Sequence, residues 1–178
     1  KINNARLAVY GIAGGSIPVT NYVADFLPLS IGLKSKTAIA RLMVDYYYNS
    51  KWFATASATY VYRSNIKIDR NSYYTDELIL SNEVAMPNAT TFNIRAGYRT
   101  QWWIAEAVLN NWTTQGGFDI TRNNMPFPSN RMNATSLGIN LKYVFKNAPN
   151  LALTGGANNI IAGRNTGQSF TANGGVFY

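Results

Sequence analysis

Apolar and polar residues alternate with a period of two over much of this chain, the signature of strands with two unlike faces. Ala38, Ala40, Leu42, Val44, Tyr46 and Tyr48 form one row. Thr37, Arg41, Asp45 and Asn49 fall on the other, with Ile39, Met43 and Tyr47. After a short polar turn at Asn49-Ser50-Lys51 the alternation resumes. Trp52, Ala54, Ala56, Ala58, Tyr60 and Tyr62 now stand opposite Lys51, Thr55, Ser57, Thr59 and Arg63. Two such runs joined by a tight polar turn predict a hairpin.

The same pattern recurs downstream. Phe92, Ile94, Ala96 and Tyr98 alternate with Asn93, Arg95, Gly97 and Arg99, and Trp103, Ala105, Ala107 and Leu109 alternate with Ile104, Glu106, Val108 and Asn110. Leu137, Ile139, Leu141, Tyr143 and Phe145 form a further row, and Phe170, Ala172, Gly174, Val176 and Tyr178 form the last. Weaker alternation, blurred by glycine, covers residues 5–18, 25–35 and 150–164. The sequence therefore predicts an all-β, antiparallel chain of about nine strands with no helix. Short turns near residues 49–51, 99–101 and 146–150 alternate with long connections at 66–90 and 113–134.

Alternation alone suits a soluble sandwich, whose apolar rows form a core and whose polar rows face water. Three features favour a lipid-facing barrel instead. Charged residues make up only 13% of the chain, against about 25% in ordinary soluble domains. The apolar rows are rich in alanine and carry aromatics at their ends: Tyr46, Tyr48, Trp52, Tyr98, Trp103, Tyr143, Phe145 and Tyr178 at one, Tyr60, Tyr62, Phe92 and Phe170 at the other. Two aromatic girdles around a small-aliphatic band suit a membrane barrel, whereas a packed core puts its bulk at the centre. Finally, Arg6, Lys34, Arg41, Asp45, Lys51, Arg63, Arg95, Arg99, Glu106, Lys142, Lys146 and Arg164 fall opposite the apolar rows. The expected fold is one domain over residues 1–178, an antiparallel transmembrane β-barrel whose loops alternate in length between its two ends.

Composition narrows the chemistry. No stretch approaches the roughly 20 apolar residues of a membrane-spanning helix, and the first residues show no charged-then-apolar export pattern, so any export signal is expected to have been removed or to lie outside this sequence. Cysteine and histidine are both absent, which removes disulfides, thiolate metal sites and imidazole catalysis. The net charge of +8 comes from basic residues spaced singly along strands; without a basic cluster, a nucleic-acid partner is not expected. An outer-membrane enzyme built on Ser/His or Asp/His chemistry is not expected either, nor is any cofactor or metal. Asp76, Glu77 and Glu83 read as solvated loop acids. The sequons at Asn88, Asn111 and Asn133 read as chance matches. The glycine pairs at 155–156 and 174–175 lack the strand-to-helix setting of a phosphate loop and read as close backbone packing.

The C-terminal strand resembles the signal by which outer-membrane barrels reach their insertion machinery. Asn173, Gly175 and Tyr178 match its spacing if the chain continues by about two residues to a final aromatic. An odd strand count would leave Lys1 outside the cell, whereas single-chain barrels have even counts; at least one earlier strand, and a larger even-stranded barrel, is the expectation. The segments Tyr62-Arg63-Ser64-Asn65, Asn111-Trp112-Thr113-Thr114 and Met125 to Met132 resemble Bacteroidetes-type outer-membrane proteins, a group loosely similar to hydrocarbon and phenol-pathway transporter barrels. That resemblance implies uptake at most.

In a barrel the polar row lines the lumen. Arg41, Arg63, Arg95, Arg99 and Lys142 outnumber Asp45 and Glu106 there, so a channel or transporter leaning toward anions is expected. The bland alternative is that these charges pair into a rigid filling, for example Arg41 with Asp45. A structural or adhesive barrel, or an accessory subunit of an outer-membrane complex, is the other class. Its long loops, with Tyr73-Tyr74 or Met125-Pro126-Phe127-Pro128 at their tips, would bind partners. The expected surroundings are outer-membrane lipid, the insertion machinery and other outer-membrane proteins.

Overall fold

The runs with the clearest alternation all pair, and so do the two weaker ones around residues 5–18 and 150–164. In the computed structural model, which describes residues 4–27, 29–122 and 126–178, twelve strands and no helix are found among the described residues. They are β1 (Ala5–Ser16), β2 (Thr37–Tyr48), β3 (Trp52–Arg63), β4 (Ile66–Lys67), β5 (Tyr73–Tyr74), β6 (Leu78–Ile79), β7 (Glu83–Val84), β8 (Asn88–Arg99), β9 (Trp103–Gln115), β10 (Asn133–Phe145), β11 (Ala148–Arg164) and β12 (Phe170–Phe177). Eight of them form one antiparallel sheet in the order β1-β2-β3-β8-β9-β10-β11-β12, each paired with its neighbour in sequence or across a loop. Seven of these run 12 to 17 residues and β12 runs 8; a tilted strand of about 9–11 residues spans a bilayer.

Two expectations change here. The described residues of 25–35 are turn and irregular chain, not a strand: Lys34 takes a positive φ of 56°, incompatible with an extended run. The sheet thus has eight long strands instead of about nine. An even count brings the start of β1 and the end of β12 to the same end, which removes the odd-count argument for a strand before Lys1, a residue outside the described ones. The sheet is also open, since β1 and β12 each pair on one side only; a closed barrel is not formed by these strands alone.

Register locks the two faces across the whole sheet. One rung runs Leu7, Tyr46, Ala54, Ala96, Ala107, Ile139, Ala157, Ala172. The next runs Ala8, Asp45, Thr55, Arg95, Val108, Gly138, Asn158, Thr171. A slip of one residue in any pair would put charge into the apolar rows, and no such slip occurs over the central rungs. Register shifts do occur at Thr135/Ser136 and at Val144/Phe145, between β10 and β11.

All long connections leave one end of the sheet and all tight ones the other. The connections β1–β2, β3–β8, β9–β10 and β11–β12 lie at the first end; 49–51, 100–102 and 146–147 lie at the second. The long ones are not structureless. Ala24, Ile66, Ile68, Tyr73, Val84, Met86 and Phe127 form a buried apolar cluster, with Leu33, Ile79 and Phe118 packed against it. The small ladders β4–β7 and β5–β6 stiffen it. Arg70 ties two loops together through Asp25 at 3.0 Å and lies 5.1 Å over the Phe127 ring, which stacks on Tyr73. The molecule's main dry core therefore sits in this cap, above the sheet rather than on either face.

Candidate functional site

The two faces of the sheet have opposite chemistry. On the first, the apolar rows stand open: Leu7, Val9, Leu42, Ile94, Ile139 and Leu141 are each about half exposed or more, and no second sheet or helix among the described residues covers them. The aromatic positions frame this band. Trp52, Tyr98 and Trp103 form a chain of ring contacts at 4.8 and 5.2 Å, and Tyr143 meets Phe145 edge-on at 5.2 Å. Tyr46 and Tyr48 continue the belt along β2, at the tight-turn end. Toward the cap, Tyr60, Tyr62, Phe92 and Phe170 are exposed on the same face, and the Tyr60 hydroxyl accepts a hydrogen bond from Asn88 at 2.8 Å. Tyr178 follows β12 and is fully exposed. Between Tyr60, Phe92 and Leu42, the small side chains of Ala13, Ala40 and Ala58 and the bare backbone of Gly11 leave a shallow apolar hollow of about 600 Å3.

The second face holds the charges. Arg6, Arg41, Asp45, Arg63, Arg95, Arg99, Glu106 and Lys142 all project from rungs in register with it. Arg164 does not share this arrangement: the register shift at Thr135/Ser136 pairs it with Asn133, in line with the apolar rows. The β-bulge that absorbs Ile161 flips the parity of the last residues of β11. There, at the cap end, Arg164 meets Asp119 through contacts of 2.8 and 2.6 Å. Lys34, Lys51 and Lys146 lie in connections and belong to neither row.

Within the charged face, Arg41 and Asp45 are not partners of each other. The Arg41 Nε donates to Thr59 Oγ1 at 2.7 Å, and the Thr55 hydroxyl donates to Asp45 at 2.5 Å, each across the β2–β3 ladder. Arg95 and Glu106 do pair, at 2.8 and 2.7 Å, and Asn140 donates to the same carboxylate at 2.9 Å. Three cations rest on aromatic rings rather than carboxylates: Arg63 over Trp112 at 5.2 Å, Arg99 over Phe53 at 5.2 Å, and Lys142 over Phe177 at 5.8 Å. A hollow of about 550 Å3 lies over this face between Arg41 on β2 and Ser136 on β10. A second, of about 260 Å3, is lined by Arg95, Arg99, Glu106, Asn140 and Lys142.

Phe53, Trp112 and Phe177 are members of this face that row-reading passes over. Their signal was available in the sequence, since each is an aromatic in the polar phase of its strand. Gly97 explains why Phe53 fits: a Cβ there would strike the Ala105 carbonyl and stand 2.7 Å from the Phe53 ring. The bare glycine lets the ring lie across β8 and carry Arg99.

In the cap, burial and the nearby Glu83 carboxylate raise the Tyr73 hydroxyl above its ordinary value. Asp119 is drawn down to about 2 by hydrogen bonds from Arg164 and Asn165.

Comparison with known proteins finds no family model, no curated protein and no solved structure that matches this chain.

Proposed function

We propose that this chain forms a bacterial outer-membrane β-barrel, in whole or in part, that passes small solutes and favours anions. The observation that carries the reading is the separation of faces: an open apolar rung crosses all eight strands while the charged strand residues, the cap-end Arg164 apart, keep to the other face. Water would penalise the first face and lipid the second. An arginine or lysine turned toward lipid at mid-depth costs about 2–4 kcal/mol. The two aromatic belts then sit at the two membrane interfaces, the tight turns face the periplasm and the cap faces outward.

A sheet in lipid cannot leave its edges unpaired. The free edges of β1 and β12 therefore call for pairing that closes the sheet, with each other or with further strands, and a barrel wider than eight strands leaves room for water along the charged face. On that face Arg6, Arg41, Arg63, Arg95, Arg99 and Lys142 stand against Asp45 and Glu106, a balance that lowers the energy of anions and raises that of cations. The β12 edge is also where the insertion machinery would engage the chain. The resemblance to Bacteroidetes-type barrels agrees with uptake and adds no substrate.

Reversal potentials of the protein in planar bilayers under a potassium chloride gradient test the reading. Chloride preference is expected; potassium preference, or the absence of any conductance, would overturn it.

One observation favours a second reading, a barrel that binds partners through its cap. Val19, Phe26, Leu29, Ile31, Leu78 and Leu80 are all exposed in the cap, which is more apolar surface than solvated tips need. Removal of residues 76–81 would then abolish partner capture and leave conductance intact.

A further inference from the structure

The charged face is not uniform, and its tight-turn half contains a place built for an anion. Arg99, Ile104, Lys142, Thr154 and Gly175 occupy one rung across five strands. Arg99 and Lys142 both pair with Ile104, so they are separated by two strand spacings, about 10 Å between their backbones, and their side chains flank an apolar floor. On the adjacent rung Glu106 is saturated: it takes both contacts from Arg95 and one from Asn140. The nearby carboxylate is thus consumed by Arg95. Among the described residues no acid lies within ion-pair distance of Arg99 or Lys142. Each is steadied on a ring instead, Phe53 and Phe177, which fixes a cation without cancelling its charge. The cavity of about 260 Å3 between them also presents the Asn173 and Thr154 side chains.

From this we infer that the Arg99–Lys142 rung is a binding site for a small oxyanion, a phosphate or a short dicarboxylate. Resting on the transport reading, it assigns that pathway a solute class. Two uncompensated cations on opposite sides of a small cavity suit a group with spread negative charge, because charge-assisted hydrogen bonds from both sides can be made at once. Chloride offers a single centre and gains less. The Ile104 floor suits a short carbon chain between carboxylates.

Calorimetric titration of the detergent-solubilised, folded protein with inorganic phosphate and with succinate, at constant chloride, tests the site. Saturable binding of at least one probe is expected. Arg99→Gln and Lys142→Gln should each weaken it about tenfold, the double variant should abolish it, and Lys142→Arg should retain it. Arg122→Gln removes the same charge from the cap and should leave binding unchanged. Equal weakening by Arg122→Gln, or no saturable binding of either probe by the parent protein, would overturn the inference. Should the glutamine variants fail to fold, hydrogen exchange of the parent protein decides: phosphate should protect residues 96–106 and 139–144, and protection confined elsewhere contradicts the site. Binding is read without a bilayer, so the two proposals separate. Anion-selective conductance with no oxyanion binding removes this site alone, and binding without conductance removes the transport reading alone.

Discussion

Arg95 does not pair with the residue directly across from it. Its cross-strand neighbour on β9 is Val108, and its guanidinium reaches diagonally to Glu106, two residues away, with contacts of 2.8 and 2.7 Å. The residue opposite Glu106 is Gly97, which has no side chain to block the approach. Glu106 is left only 9% exposed while Arg95 keeps 46%. The carboxylate is therefore the enclosed member of the pair and the cation the open one, which biases the field over this face toward positive.

Glu106→Gln follows directly from that geometry. It removes one of the two carboxylates on the charged face and frees Arg95. Reversal potentials should shift further toward chloride, in the same direction at every gradient; a shift toward potassium would contradict the assignment of this face to the lumen.

The apolar face makes the opposite demand. Leu42→Arg should destabilise the folded protein in lipid vesicles by about 2–4 kcal/mol, read from urea unfolding. Ser57→Arg, on the charged face of the neighbouring strand, should cost far less. Equal penalties at the two positions would mean that the faces see the same medium.

The cap is a folded unit, and Gly117 is one of its fixed points. Its φ of 78° lies in the left-handed region, and a Cβ there would also strike the Ser129 carbonyl. Gly117→Ala should therefore loosen the cap by about 1–2 kcal/mol from the backbone alone. Limited proteolysis should show faster cleavage in residues 116–132, with the sheet unaffected.

Protonation should release one cap contact at low pH only. Asp119 sits at about 2, below its ordinary 3.8, because Arg164 and Asn165 hold its charged form. A carboxylate depressed on folding contributes stability that is whole above its unfolded value and is lost as pH falls through the folded one. Exchange protection around Arg131 and Asn165, to which the Asp119 loop is bonded, should therefore hold at pH 5 and fall between about pH 4 and pH 2. Asp119→Asn should remove that dependence; a decline centred near neutral pH would point to another group.

The sheet was legible in the sequence because its rows must obey a period of two. Tyr48, Trp52 and Tyr98, assigned to one belt from three separate runs, fall on one rung, with the Trp52 and Tyr98 rings in contact. The cap was not legible for the same reason. Ile66, Ile68, Val84 and Met86 come from strands of two residues or from none, too short for any period to register, and their partners Phe127 and Tyr73 arrive from distant loops. Residues 25–35 imitate a weak strand because Phe26, Leu29 and Ile31 are apolar, yet they are exposed turn residues. The phase of Arg164 depended on a bulge, which sequence alternation cannot reveal. Met125, at the tip of the expected binding run, lies outside the described residues, but its neighbour Phe127 is buried in the cap cluster at 2% exposure, so that aromatic is a core residue rather than an exposed anchor.

Single-tryptophan variants in vesicles of brominated lipid measure most directly which medium covers the apolar rows. Trp52 and Trp103 stand on the open apolar face, whereas Trp112 lies on the charged face beneath Arg63. Strong quenching of Trp52 and Trp103 with little quenching of Trp112 is the predicted result. Weak quenching at all three, from a protein that remains folded, would show that hydrocarbon does not cover this sheet.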